Sequence, residues 1–253
     1  MAFVGDVGLC STFHRFAEGL PCLWEAVVGR RDPRWPRRSH HDAGIGLAWG
    51  LKDRLAARRH VYYGKLLKGR PLLVALDLFP AFYALVRGRQ RARDYVAEYR
   101  AGRLSAVGKR IMDSLVRESP QYTRGLRADC FMLDPSRTRE FERGMAELQQ
   151  GLWIVKTEER DEPSFSYRWD LVERWLPGEV AAGRRLARAV AVERVCARYV
   201  DAAVYATPAV MARLFSIPRP EVEAAVERLH RAGRVRAGVE VAGWPGRFVV
   251  SAR

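Results

Sequence analysis

The sequence predicts an α+β fold, mainly helical, in which short helices lead into short β-hairpins. Three observations predict it. Between residues 204 and 250, apolar positions at helical spacing (Val222, Val226, Leu229) give way to an alternating stretch ending in Phe248-Val249-Val250, with Pro218, Pro220 and Gly233 at the boundaries. Between residues 104 and 170 the same plan occurs 81 positions earlier, with Phe141, Met145, Leu148 and Ile154 matching Val222, Val226, Leu229 and Val235. Apolar residues make up 48% of the chain, yet no run of them is long enough to span a membrane, so they are expected to fill packed cores. Helix, short turn, helix and two-stranded ribbon is the layout of a winged helix-turn-helix. The expected architecture is therefore tandem winged helix-turn-helix domains with short β-hairpin wings.

From the N-terminus, Leu20 to Gly29 reads as a short helix entered at Pro21 and ended by Gly29. The next segment gathers Arg30, Arg31, Arg34, Arg37 and Arg38 around Pro33, Trp35 and Pro36. The prolines exclude regular structure and leave a basic surface loop, either solvated or laid against phosphates. Two apolar runs, one from Val61 and one from Leu72, flank Gly69-Arg70-Pro71 and pair as strands. Asp77 is placed to cap a helix from Leu78 to Leu85, with Pro80 in its first turn. Residues 87 to 103 hold one helix, Asp94 to Arg100, and the run Arg87, Arg89, Arg91 and Arg93 reads as a solvated face.

The helix from Leu104-Ser105 is expected to turn Ile111, Leu115 and Val116 inward and to end at Ser119-Pro120. Thr123 begins a second helix, which carries Leu126. Asp134-Pro135 caps and opens a third. Trp153 to Lys156 and Phe165 to Trp169 form the hairpin, with an acidic tip at Glu158-Glu159-Arg160-Asp161-Glu162 that suits a DNA surface poorly. Residues 171 to 192 connect, with a break at Trp175-Leu176-Pro177-Gly178 before a basic helix. The final unit runs from Thr207-Pro208 through a helix to Phe215, a second helix from Pro220, and a hairpin turning at Gly243-Trp244-Pro245-Gly246. The domain boundaries that follow are 1–103, 104–176 and 177–253, with the first expected to be winged-helix-like as well.

The net charge of +15 has two readings. Basic side chains displace counterions from nucleic acid, or the genome favours arginine codons; the fold favours the first. Cys10, Cys22, Cys130 and Cys196 form no C-x-x-C and have no histidine pair nearby. They read as reduced, mostly buried thiols of a cytoplasmic protein, without zinc. His40-His41-Asp42 lacks a third ligand at fixed spacing, so no metal is expected there and a polar cleft lining is the better reading. No leader peptide and no membrane segment are expected.

Cations crowd around three aromatics in one stretch: Lys52, Arg58, Arg59, Lys65, Lys68 and Arg70 beside Trp49, Tyr62 and Tyr63. Bases stack on rings and phosphates pair with cations, so all nine are candidate nucleic-acid contacts. The same rings also suit a core with polar tips at the surface. On the helix from Pro135, Arg137, Arg139 and Arg143 are candidates to face phosphates, whereas Glu221, Glu223 and Glu227 on the helix from Pro220 would be repelled.

Two segments resemble the YcaQ/AlkZ-type DNA glycosylases. One is Gly69-Arg70-Pro71-Leu72-Leu73-Val74-Ala75-Leu76-Asp77-Leu78, an arginine-containing turn, an apolar strand and an acidic residue opening a helix. The other is the final unit from Arg198-Tyr199-Val200 through Thr207-Pro208 to Leu229 and Val235. The resemblance implies three winged-helix units around a DNA duplex and hydrolysis of N-glycosidic bonds in alkylated or crosslinked purine nucleotides, without a cofactor. It departs at one point. The family carries a glutamine–x–glutamine or glutamine–x–aspartate motif that positions the attacking water, and none of Gln90, Gln121, Gln149 and Gln150 fits it. If the chain does hydrolyse such a bond, Asp53 is the candidate carboxylate to orient water and stabilise the oxocarbenium-like sugar, with Trp49 or Tyr63 as the wall for a flipped base. An ordinary salt bridge is the competing role for Asp53. The expected partner is duplex DNA, bound by a monomer, in DNA repair. A non-catalytic transcriptional regulator and a protein-interaction module are the alternatives.

Overall fold

In the computed structural model, which describes residues 2–17, 19–160 and 165–252, the chain lays down one arrangement of elements three times. The first set is α1 (Ala2–Val7), β1 (Leu9–Ser11), α2 (Leu23–Val28), α3 (Ala43–Ala57), β2 (Val61–Leu67) and β3 (Arg70–Ala75). Helices α4 (Phe79–Val86) and α5 (Tyr95–Arg100) lead to the second: α6 (Ala106–Arg117), β4 (Gln121–Tyr122), α7 (Thr123–Asp129), α8 (Thr138–Gln150), β5 (Ile154–Arg160) and β6 (Ser166–Leu171). Helices α9 (Val172–Trp175) and α10 (Pro177–Arg185) lead to the third: α11 (Arg188–Ala203), β7 (Tyr205–Ala206), α12 (Pro208–Phe215), α13 (Arg219–Arg231), β8 (Val235–Val241) and β9 (Trp244–Ser251). Each set closes a small antiparallel sheet in which the last strand lies between the other two, β1-β3-β2, β4-β6-β5 and β7-β9-β8.

The offset of 81 residues holds at the level of elements, because α8 and α13 each have 13 residues and begin at Thr138 and Arg219. The eight matched apolar residues are all buried. Local chemistry sets the helix starts. Asp42, Ser105 and Thr207 cap α3, α6 and α12, accepting from the backbone N–H of Ile45 (2.8 Å), Gly108 (3.0 Å) and Val210 (3.2 Å). Gly29 ends α2 in the left-handed region, φ 65°, where a glycine meets no steric penalty.

Several expectations are corrected. Helix α2 starts at Leu23 rather than Pro21, because Cys22 bridges to Ser11 instead. Asp77 does not cap α4; its carboxylate pairs with the Arg198 guanidinium. Val116 faces outward, 48% exposed, one residue past the buried Leu115. Arg87 is not solvated. It is buried, with its guanidinium 3.0 Å from the centre of the Trp153 ring and one N–H donated to the Arg91 carbonyl, and burial pushes its pKa down to about 10. The connector is helical through α9 and α10, and the last hairpin turns two residues earlier than expected, at Ala242-Gly243, with Trp244 already in β9. Asp161 and Glu162 of the acidic tip lie outside the described residues.

Helix α4 is the pillar of the largest core. Its residues Phe79 to Ala84 are all buried, and the cluster around them joins Leu9 and Leu72 to Val180, Val195, Leu214, Val222 and Val249. The second set has its own core of Ile111, Met112, Leu126, Leu148 and Ile154, and Val4, Trp24, Ile45 and Leu73 form a smaller one under α3. Contact between α4 and α10 depends on Gly183, where a Cβ would come within 2.9 Å of the Pro80 carbonyl oxygen and of the Tyr83 Cβ. Gly183→Ala should therefore lower stability by about 1–3 kcal/mol in urea unfolding. Gly178→Ala, in the same helix with nothing within 4 Å, should be neutral or gain up to about 1 kcal/mol. Equal stability of the two variants would contradict this packing.

Candidate functional site

Helix α3 carries Trp49, Lys52 and Asp53, spaced so that all three share one side. That side meets β5 of the second set. The Lys52 ammonium donates to both oxygens of Asp53 at 2.7 Å and reaches Glu159 Oε2 at 3.4 Å. The Lys156 ammonium donates to Asp53 Oδ1 at 2.8 Å and to Glu159 Oε2 at 2.7 Å. Trp49 Nε1 donates to the other oxygen of Glu159 at 3.2 Å. Three rings border the charges: Trp49 lies 4.2 Å below the Lys52 ammonium, and Tyr63 of β2 and Tyr167 of β6 lie 5.0 and 4.7 Å from the Lys156 ammonium.

Both lysine side chains are almost wholly buried, and so is Glu159; Asp53 is the member open to solvent, at 22% exposure. Burial, the largest influence, pulls the Lys52 pKa below the ordinary lysine value against its hydrogen bond to Asp53. Burial acts on Lys156 in the same sense, but hydrogen bonds and charges from Asp53 and Glu159 outweigh it and hold its pKa above the ordinary value. Burial would raise the Glu159 carboxyl; Lys156 and Lys52 overcome that and keep it below the usual carboxylate range. Burial pushes the Tyr63 phenol up to about 12, so the ring remains a neutral surface at physiological pH.

The structure thus gathers Trp49, Lys52, Asp53 and Tyr63, and leaves the other candidates outside the cluster. Tyr62 is corrected: it is 1% exposed, its ring 4.8 Å from Phe79 inside the core, and it is out of reach of a nucleic acid. Arg58 and Arg59 are exposed beyond the end of α3, with Arg59 stacked 4.1 Å over Trp175. Lys65, Lys68 and Arg70 are exposed along the β2–β3 hairpin and its turn. Arg137 is committed to the Glu140 carboxylate (2.9 Å) and the Phe131 carbonyl (3.3 Å), whereas Arg139 and Arg143 stand exposed on α8. Among the described residues, no group of three or more His, Cys, Asp or Glu is placed to hold a metal ion, and Asp42 spends its carboxylate as a helix cap.

Sequence reasoning missed Lys156, Glu159 and Tyr167. On a regular strand, residues three apart face opposite ways. Here the pairing of β5 with β6 shifts between Lys156 and Glu158, so Thr157 is an extra residue and Lys156 and Glu159 come to the same face, opposite Trp169 and Tyr167. Nothing in the local sequence marks that bulge.

Comparison with known proteins follows this geometry. A solved structure, Streptomyces sahachiroi DNA glycosylase AlkZ, matches with a TM-score of 0.58 at 14% identity, a likeness of fold. The match covers 98% of this chain and 62% of that one, so the chain spans less than two thirds of that protein's length. No curated protein matches. A family model described as AlkZ related matches residues 1–216, which takes in α3, β5 and the whole charged cluster. On that match the chain belongs to the AlkZ-related family.

Proposed function

We propose that the protein binds duplex DNA and acts in DNA repair by hydrolysing the N-glycosidic bond of an alkylated purine nucleotide. The observation that carries the reading is the meeting of Trp49, Lys52, Asp53 and Tyr63 with Lys156 and Glu159 in one cluster. Taking Lys52, Lys156 and Glu159 out of water costs several kcal/mol per ion, and well-packed apolar side chains would stabilise the contact at least as well. Stability alone therefore gives a weak reason for such a network, and work on a substrate gives a better one. In this role Asp53, the solvent-facing carboxylate, orients the attacking water and faces the oxocarbenium-like sugar, while the two ammonium groups fix its direction. Trp49 and Tyr63 supply the wall for a base taken out of the stack. A purine alkylated at N3 or N7 already bears positive charge on its ring and leaves as a neutral base, so for that substrate the cluster needs no general acid.

The architecture in this reading is three winged helix-turn-helix units over residues 1–103, 104–176 and 177–253. The threefold recurrence of helix, strand, helix, helix and hairpin supports it. Lys65, Lys68 and Arg70 on one hairpin and Arg139 and Arg143 on α8 are its phosphate contacts. A second reading, a DNA binder that does not cut, is favoured by one observation: both ammonium groups already hold Asp53, as in a structural ion pair.

A duplex treated with a methylating agent or nitrogen mustard, incubated with the protein and then heated in alkali, should break at abasic sites, and the untreated duplex should not. Asp53→Asn should lower that cleavage by about 100-fold or more while duplex affinity stays within about twofold. Unchanged cleavage would remove Asp53 from the chemistry; retarded duplex without cleavage would establish the second reading. Affinity should fall linearly in log–log form with salt, and alanine at Lys68 and at Arg70 should each reduce the slope by about one. Absence of any retardation at low salt would point to a protein partner.

A further inference from the structure

A continuous run of aromatic rings starts from Trp49, the indole that borders the charged cluster. Phe13, in the loop between β1 and α2, lies 5.6 Å from Trp49 and 5.9 Å from Trp35 between ring centres. His14 lies 4.8 Å from Trp35 and 6.3 Å from Trp24, and Trp24 lies 5.1 Å from Trp35. Trp24 is buried and forms the floor, whereas Trp35 and Trp49 are each 45% exposed. Two half-exposed indoles, one phenyl ring apart, leave part of their ring surface to solvent where the small core beneath them is already closed by Trp24, Ile45 and Leu73.

The loop that carries Trp35 also carries charge. Arg30, Arg31, Arg34, Arg37 and Arg38 are all exposed, and none pairs with a carboxylate among the described residues. This sets them apart from Arg137, Arg188, Arg198, Arg219 and Arg228, each of which has an acidic partner. Asp32 is the single acid among the five. Half-exposed rings beside guanidinium groups without a carboxylate partner match a polyanion that exposes aromatic faces. A perfect duplex hides its base faces in the stack. An unstacked nucleotide offers a base face and a phosphate together.

We infer that Trp35, with Phe13 and Trp49, is a stacking platform for unstacked nucleotides of DNA, single-stranded or bulged, whose phosphates meet the arginines of residues 30–38. The inference rests on the DNA-binding reading above and extends it to the strand next to the charged cluster. The platform holds the nucleotide without touching its glycosidic bond.

The test is fluorescence anisotropy at fixed low salt with three labelled 21-residue probes: a perfect duplex, a duplex with a two-nucleotide bulge, and a single strand. Trp35→Ala should weaken the bulged and single-stranded probes by about fivefold to a hundredfold, the loss expected for one base stack, and leave the perfect duplex within about twofold. Trp35→Phe, which keeps a ring, should retain most of the affinity, and Arg34→Ala with Arg37→Ala should weaken all three probes. Far-UV circular dichroism of each variant checks its fold. An equal loss on all three probes with Trp35→Ala, or no loss on any, would overturn the platform and leave DNA binding intact. Failure of the unaltered protein to bind any of the three would overturn the DNA-binding reading and the platform with it.

Discussion

Each of the two buried ammonium groups, Lys52 and Lys156, meets both carboxylates, Asp53 and Glu159, and much else in the structure follows from that closed square of charge. Burial disfavours the charged form of both lysines, and the hydrogen bonds and charges of the acids act against it. Helix α3 and strand β5, more than a hundred residues apart in sequence, therefore cannot slide past each other without stranding a charge. The square sums to zero charge, so it leaves the excess of cations to the surface. It also holds Trp49 in place through Glu159, which ties the exposed aromatic run to the buried charges.

How much of this was legible in the sequence depends on how each element earns its place. The second and third sets were legible because their helices bury regular apolar rows, Phe141–Met145–Leu148 and Val222–Val226–Leu229, between proline and glycine stops. Helix α3 was not, although it matters most to the site. Its buried positions are Ile45, Ala48, Lys52, Leu55 and Ala56, so a lysine and two alanines stand where an apolar row would have announced a helix, and Gly44, Gly46 and Gly50 argue against one. Half of the cluster was therefore named from composition alone, as cations among aromatics. The other half, Lys156 and Glu159, depended on a bulge and on a neighbouring set, and neither is a local property. Arg87 failed for a related reason: a cation on a tryptophan face is a tertiary contact, and by sequence it was one more arginine in a basic run.

Arginine plays three distinct parts here. Arg198 and Arg228 fasten elements by pairing with Asp77 and Glu193, Arg87 and Arg59 lie on indole faces, and those of residues 30–38 are left over. Guanidinium groups suit the first two because they are planar and weakly hydrated, so they pack like rings while keeping their charge. The net charge of +15 is therefore a poor guide to where a polyanion would sit, since many of the cations that produce it are occupied.

The largest core has a consequence for how the chain comes to be folded at all. It joins Leu9 and Leu72 to Val222 and Val249, so the first set shares its apolar interior with the last one made. During synthesis the β2–β3 hairpin leaves the ribosome well before β9, so the core that the two share is completed only when β9 emerges. The second set has a separate core and is complete once residue 171 is out. The core of the second set can thus close before the shared one, and the β2–β3 hairpin is the segment with apolar surface to shield in the interval.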